Sequence, residues 1–202
     1  RKLPPACTLI RFDDGRTELR RYWDPAVESG DARDATETEI VQRLRVFLHD
    51  SVRLHMMSDV PFGVFLSGGV DSSLNVALMN ELMDRPVATY SVAIQDDPLS
   101  DELAEARRVA GHYGADHREV IISTKDFIEY LPEMVHHQDE PLADPVCVPL
   151  YFVSKLAKDN GTTVIQVGEG ADELFAGYTM YASMADFHRR MYRPFSLSLI
   201  HI

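Results

Sequence analysis

The stretch Val64-Phe65-Leu66-Ser67-Gly68-Gly69-Val70-Asp71-Ser72-Ser73, "VFLSGGVDSS", decides the fold. An apolar run stops abruptly at a hydroxyl, two glycines, a carboxylate and two more hydroxyls. A strand that ends this way and runs into a helix leaves several backbone N–H groups without intrahelical partners. They point out of the helix terminus, where an anion can meet them. Gly68 and Gly69 lack a Cβ, so phosphate oxygens can come close to the backbone. Ser67, Ser72 and Ser73 add hydroxyl donors. Asp71 is repulsive beside phosphate unless it holds a divalent metal that the phosphates also bind. The GK[ST] ending of a Walker loop is missing. A plainer reading of the same residues is a sharp turn capped by Asp71 and Ser72, because short glycine motifs are weak signals.

Outward from this motif, strands alternate with helices. Apolar strands are expected at 63–66, 87–94, 118–122 and 163–167, with helices at 72–83, 101–113, 125–136 and 149–158. Leu103, Ala106, Val109, Ala110 and Tyr113 form one helical face. Uniformly apolar strands separated by amphipathic helices imply an α/β fold, a parallel sheet covered by helices on both faces. Ligands of such sheets sit beyond the carboxyl ends of the strands. The opening motif falls there, and so does a second glycine-rich run, "VGEGADELFAGY", from Val167 to Tyr178. Upstream, residues 1–23 read as a short hairpin turning at Asp14-Gly15, with Trp23 as its anchor. A polar linker over 24–36 follows. A long helix then begins, capped by Thr36 or Thr38, with Ile40, Leu44, Phe47, Leu48 and Val52 on its apolar face.

Bulk properties exclude several classes. The 202 residues suit one domain with a sizeable core and a fragment of a second. Lys and Arg number 20 against 32 Asp and Glu, a net charge of −12, which repels nucleic acid at long range. No segment has the length of a membrane span, and no secretory signal opens the chain. Cys7 and Cys147 form no framework, so a reduced, cytoplasmic setting is the simplest expectation.

The motifs carry a family resemblance. "SGGVDSS" resembles the pyrophosphate-binding loop of ATP pyrophosphatases, which cleave ATP between its α and β phosphates. "GEGADELFAGY", Gly168 to Tyr178, resembles the signature of the synthetase domain of glutamine-dependent asparagine synthetases. "DEPLADP" followed by "VPLYFVSKLAK", "TYSVAI" at 89–94, and "RKLPPACTLI" with "RRYWD" are similar to further stretches of that family. The resemblance implies the nucleotide-binding ATP-pyrophosphatase fold (adenine nucleotide α-hydrolase-like) behind a short N-terminal β-hairpin. Residues 1–35 would be the tail of a glutaminase domain with its linker, 36–192 a C-terminally truncated synthetase domain, and 193–202 an irregular tail.

The implied reaction is amide formation by a carbon–nitrogen ligase. ATP adenylates the aspartate side-chain carboxylate, releasing pyrophosphate, and ammonia then displaces AMP to give asparagine. The cofactors implied are ATP and Mg2+. By resemblance Ser67, Gly68, Gly69, Asp71, Ser72 and Ser73 cradle pyrophosphate, with Gly168 beside them. Asp71 and Asp172 match the magnesium carboxylates. Glu169 matches the residue assigned to the ammonia step, its alternative being to order the loop. Leu66 and the backbone of Ser91 and Val92 match adenine and ribose contacts. Glu140 and Asp144 are candidates for a substrate loop or for structure alone. His136 and His137 read as dipole-compensating surface residues, His112 and His117 carry no ligand spacing, and Tyr178 and Tyr181 are expected to pack the following helix.

Two departures from the family accompany these expectations. Most of the glutaminase partner domain is missing, so free ammonia would be the nitrogen source. The region holding a lysine that stabilises adenylation is missing as well, so weak or absent synthesis is expected. The tail "RPFSLSLIHI", with Leu197, Leu199, Ile200 and Ile202, would favour self-association into a homodimer. Two other classes stay open. One is a related amidotransferase or a β-lactam-synthetase-like enzyme acting on another carboxylate; the other is a non-catalytic nucleotide-binding module.

Overall fold

A computed structural model describes residues 2–24, 35–95, 101–138, 142 and 144–192. The linker over 25–34, Glu140 and the tail from 193 onward lie outside the described residues. The chain forms two units, residues 1–47 and 48–202. In the first, β1 (Cys7–Arg11) pairs antiparallel with β2 (Thr17–Arg21), Leu9 opposite Leu19. Gly15 supplies the left-handed turn conformation at φ 84°, as Asp14-Gly15 predicts. Trp23 lies beyond β2 and is 54% exposed, so it does not anchor the hairpin as expected.

The helix α1 (Glu37–His55) opens on a reciprocal cap at Thr36 rather than Thr38. The Thr36 hydroxyl and N–H donate to the Glu39 carboxylate at 2.8 Å each, and the Glu39 N–H donates back to Thr36 Oγ1 at 3.3 Å. The predicted apolar face of α1 is buried only in part. Val52 is 4% exposed, whereas Phe47 is 65% exposed. Periodicity shows which side of a helix is apolar; it does not show how far along that side a neighbour extends.

The second unit is built on a four-stranded parallel sheet in the order β5-β4-β3-β6. The strands are β3 (Phe62–Phe65), β4 (Ala88–Ile94), β5 (Asp116–Ile122) and β6 (Val164–Gln166). One face carries α2 (Val70–Leu82) and α3 (Asp101–Tyr113), where Val64, Leu66, Val76, Met79, Val87, Ala106 and Ala110 are buried together with Val52. The other face carries α4 (Thr124–Gln138) and α5 (Cys147–Asp159), packed through Tyr90, Ile122, Tyr130, Val148, Val153 and Ala157. Each large apolar side chain buried in this way stabilises the fold by roughly 1.5–3 kcal/mol. The chain then forms α6 (Ala171–Phe175), α7 (Thr179–Phe187) and a π turn (His188–Tyr192). The expected sheet, covered on both faces, is therefore present.

The boundaries moved for local reasons. α5 begins at Cys147, ahead of the predicted 149, because Pro149 in a first turn forfeits only an N–H that had no partner. α4 continues through Pro132, with Tyr130 and Met134 on either side buried in the core shared with α5. His117 has a structural place on the α3 side of the sheet. Its Nδ1 lies 2.8 Å from Thr89 Oγ1 and its Nε2 lies 3.0 Å from Glu119 Oε1. Arg107 of α3 donates to the same carboxylate from Nε and Nη2 at 2.8 and 2.6 Å. Burial pushes the Glu119 carboxyl up, but the bonds and charges of Arg107 and His117 outweigh it and hold the group below the usual carboxylate range. Cys7 and Cys147 are both free thiols. Among the described residues no helix is long and apolar enough to cross a membrane.

Candidate functional site

The site begins where β3 ends. The Leu66 N–H still bonds to Tyr90 O at 2.9 Å, and its carbonyl accepts the hydroxyl of Ser91, so the end of β3 is tied to the middle of β4 by backbone and side chain alike. Gly68 then turns the chain at φ 85°. A Cβ placed there would lie 2.6 Å from Glu105 Cβ and 2.7 Å from the Ala106 nitrogen, so this glycine lets the loop rest against the backbone of α3. Gly69 starts α2 in an extended conformation without a side-chain cap, which leaves the first helical N–H groups available to an anion. The loop hydroxyls bond to one another meanwhile. Ser67 Oγ and Ser72 Oγ are 3.0 Å apart, and Ser72 donates to Gly69 O at 3.3 Å.

The second glycine-rich run leaves β6 and meets the first loop directly. A Cβ placed at Gly168 would stand 3.0 Å from Asp71 Cβ and 3.7 Å from the Ser72 nitrogen. Gly170, at φ 89°, begins α6, and Ala176, at φ 56°, ends it. The two loops thus close one cavity of about 320 Å3, within the size range of small-molecule sites. Leu66, Ser67, Gly69, Asp71, Ser72, Ser91, Val92, Gly168, Glu169 and Asp172, all expected site residues, line it together.

Gly68 and Ser73 do not line the cavity. Gly68 faces α3. Ser73 Oγ is buried with no hydrogen-bond partner among the described residues, one helical step of about 100° away from Ser72. Asp144 is also absent from the lining. Its carboxylate accepts the Val146 N–H at 3.0 Å, ahead of α5, which favours the structural reading of this residue. His136 and His137 stand in the last turn of α4, where the surface reading put them.

The sequence reading missed several lining residues. Leu150 and Val153 of α5 add an apolar wall, and Glu102 comes from the first turn of α3. Glu173 and Tyr178 fall inside the second glycine-rich run, where Glu173 had no expected role and Tyr178 was expected only to pack the following helix. The Tyr178 hydroxyl donates to Glu173 Oε1 at 3.2 Å. Tyr178 also stands 5.6 Å from the Tyr181 ring, so part of the expected packing is present.

Five carboxylates line the cavity, from Asp71, Glu102, Glu169, Asp172 and Glu173, and its described lining contains no Lys or Arg. A polyphosphate entering such a site needs a cation between itself and these groups. Among the described residues no cluster of three or more His, Cys, Asp or Glu side chains is placed to hold a metal by itself. Asp71 and Asp172, one from each loop, suit magnesium, which takes one or two carboxylates and completes its shell with water and phosphate. The donor set fits that ion.

Residues 43–199 match the family model described as Asparagine synthase. The chain is 43% identical over 181 residues to asparagine synthetase [glutamine-hydrolyzing] 1 of Bacillus subtilis (strain 168), covering 90% of this chain and 28% of that one. It is 32% identical over 193 residues to the amidase chyE of Penicillium rubens, covering 88% of this chain and 28% of the relative. This chain therefore spans little more than a quarter of the length of either relative. Among solved structures, the NH3-dependent NAD synthetase of Campylobacter jejuni aligns at TM-score 0.43 and 18% identity, over 71% of this chain and 61% of that one.

Proposed function

We infer the function from one premise: this chain belongs to the asparagine synthase family. The proposed activity is ATP-dependent amide formation, with adenylation of the aspartate side-chain carboxylate and then attack by ammonia to give asparagine, AMP and pyrophosphate. The observation that carries it is the contact of Gly168 with Asp71, which sets both glycine-rich loops and both candidate magnesium carboxylates around one cavity.

The roles follow from position. Ser67, Gly69 and Ser72, with the uncapped N-terminus of α2, receive the pyrophosphate oxygens. Leu66, just past β3, and Ser91 and Val92 of the neighbouring β4 receive the nucleoside. Asp71 and Asp172 would hold magnesium, which when bound offsets the charge of the departing pyrophosphate. Val153, buried at the apolar wall, helps to keep water from an acyl-adenylate. Glu169 accepts the proton that ammonia loses as the C–N bond forms. A glutaminase domain in the whole protein would supply that ammonia.

The test is ATP–pyrophosphate exchange dependent on aspartate and magnesium, followed by mass spectrometry for asparagine and AMP. No AMP from the whole protein with aspartate and ammonia would sink the assignment. The fungal relative named an amidase points to a second reading, amide chemistry on a group other than the aspartate side chain. AMP formed with another acid but not with aspartate would select it.

A further inference from the structure

Between Glu173 and Tyr178 the chain folds back sharply. Ala176 sits in the left-handed region at φ 56° and ψ 41°, an uncommon place for a residue with a Cβ, and the Gly177 N–H closes the turn onto Asp172 O at 3.0 Å. A Cβ on Gly177 would collide with the Asp172 carboxylate. This strained turn carries Tyr178 back to α6, where its hydroxyl donates to Glu173 while the side chain stays 44% exposed on the cavity wall. Tyr181 flanks the ring at 5.6 Å. The charge of Glu173, then its hydrogen bond, pushes the Tyr178 phenol up, so the hydroxyl remains a donor at neutral pH.

A phenol whose one proton is committed in this way has only lone pairs left to offer. Phosphate and carboxylate oxygens are acceptors and gain nothing from it. A nitrogen nucleophile brings N–H groups that need acceptors while its own lone pair stays free to attack. Glu169 lines the same cavity and offers a further acceptor.

We propose that Tyr178 binds the nitrogen nucleophile, its oxygen accepting one N–H of ammonia, with Glu173 as the positioning residue that holds the phenol and Glu169 taking the departing proton. In the step it serves, the nitrogen lone pair forms the C–N bond and the acyl C–O bond to the AMP phosphate breaks. AMP leaves with that electron pair, and one N–H proton passes to the Glu169 carboxylate. The inference rests on the amide-forming reading above and deepens it.

The experiment compares Tyr178→Phe, Glu173→Gln and Glu173→Ala in the intact protein. Two readouts are taken, ATP–pyrophosphate exchange with aspartate and the ammonia dependence of amide formation. Expected for Tyr178→Phe is exchange within about twofold of the parent, with kcat/KM for ammonia down about tenfold, the size of one lost hydrogen bond. Glu173→Gln, whose amide oxygen still accepts the phenol proton, should retain most of the ammonia step, whereas Glu173→Ala should fall with Tyr178→Phe. Equal ammonia kinetics in Tyr178→Phe and the parent overturn the inference and leave the amide-forming reading standing. A parallel loss of exchange, or a changed magnesium requirement, assigns Tyr178 to the phosphate side and also overturns it. Absence of exchange in the parent protein removes the reading and the inference together.

Discussion

Gly168→Ala probes the contact on which the site depends. In the structure an alanine Cβ at this position would stand 3.0 Å from Asp71 Cβ. Two carbons rest at about 3.5–4.0 Å, so the facing loop must give by a few tenths of an ångström to admit it. Both contact atoms belong to the main chain or to its first side-chain carbon, and no flexible side-chain end is there to swing aside. A displacement near 1 Å at a reacting centre costs up to about a hundredfold in rate. A shift of a few tenths is a fraction of that, so the expected loss in kcat/KM for ATP is about tenfold, or roughly 1.4 kcal/mol of transition-state stabilisation. ATP–pyrophosphate exchange at varied ATP and magnesium measures it, with a thermal melt to confirm folding. Full exchange with an unaltered magnesium requirement in a folded Gly168→Ala protein would refute the shared site.

Three further outcomes are expected. Gly68→Ala should be worse for stability than Gly168→Ala, because it adds a φ of 85° to a 2.6 Å clash with α3; denaturant melts should show a loss of at least about 1–3 kcal/mol. Tyr90→Phe removes the buried hydroxyl that lies 2.7 Å from Thr162 Oγ1, and should cost about 1–2 kcal/mol by the same measurement. Glu119 has its carboxyl held below the ordinary value of about 4.3. Its stabilising contribution is then fully present above that pH and disappears as the pH falls through the lowered value. The melting-temperature gap between parent and Glu119→Gln should accordingly be constant near neutrality and close below about pH 4; a gap that widens on acidification would contradict the Arg107 pairing.

Much of the second unit could be read from local pattern. The face Leu103, Ala106, Val109 and Ala110 is buried as its spacing predicts, because a helix with one apolar stripe has one way to bury it. The alternation of strands and helices foretold a parallel sheet, since a parallel crossover needs a helix on a face. Other features were not local. In "GVDSS" the two serines are chemically alike, yet Ser72 faces the cavity and Ser73 faces the interior, and that depends on where β6 and its loop lie against α2. In "SGG" the two glycines also look interchangeable. Only the packing of α3 makes Gly68 a contact residue and leaves Gly69 at the helix start. Glu102 had no motif to mark it, because the turn of α3 that carries it reaches the cavity through the order of the strands.

By itself, then, the amino-acid sequence determined the chemistry on offer: two glycine-rich strand ends, their hydroxyls and their carboxylates, and the period that builds a covered parallel sheet. Tertiary structure alone decided which of those groups share a cavity, that Tyr178 is held by Glu173 on its wall, and that Gly68 serves α3. Periodicity and turn chemistry act over a few residues. The meeting of loops about a hundred residues apart is settled by how whole elements pack, where a fraction of an ångström separates a contact from a clash.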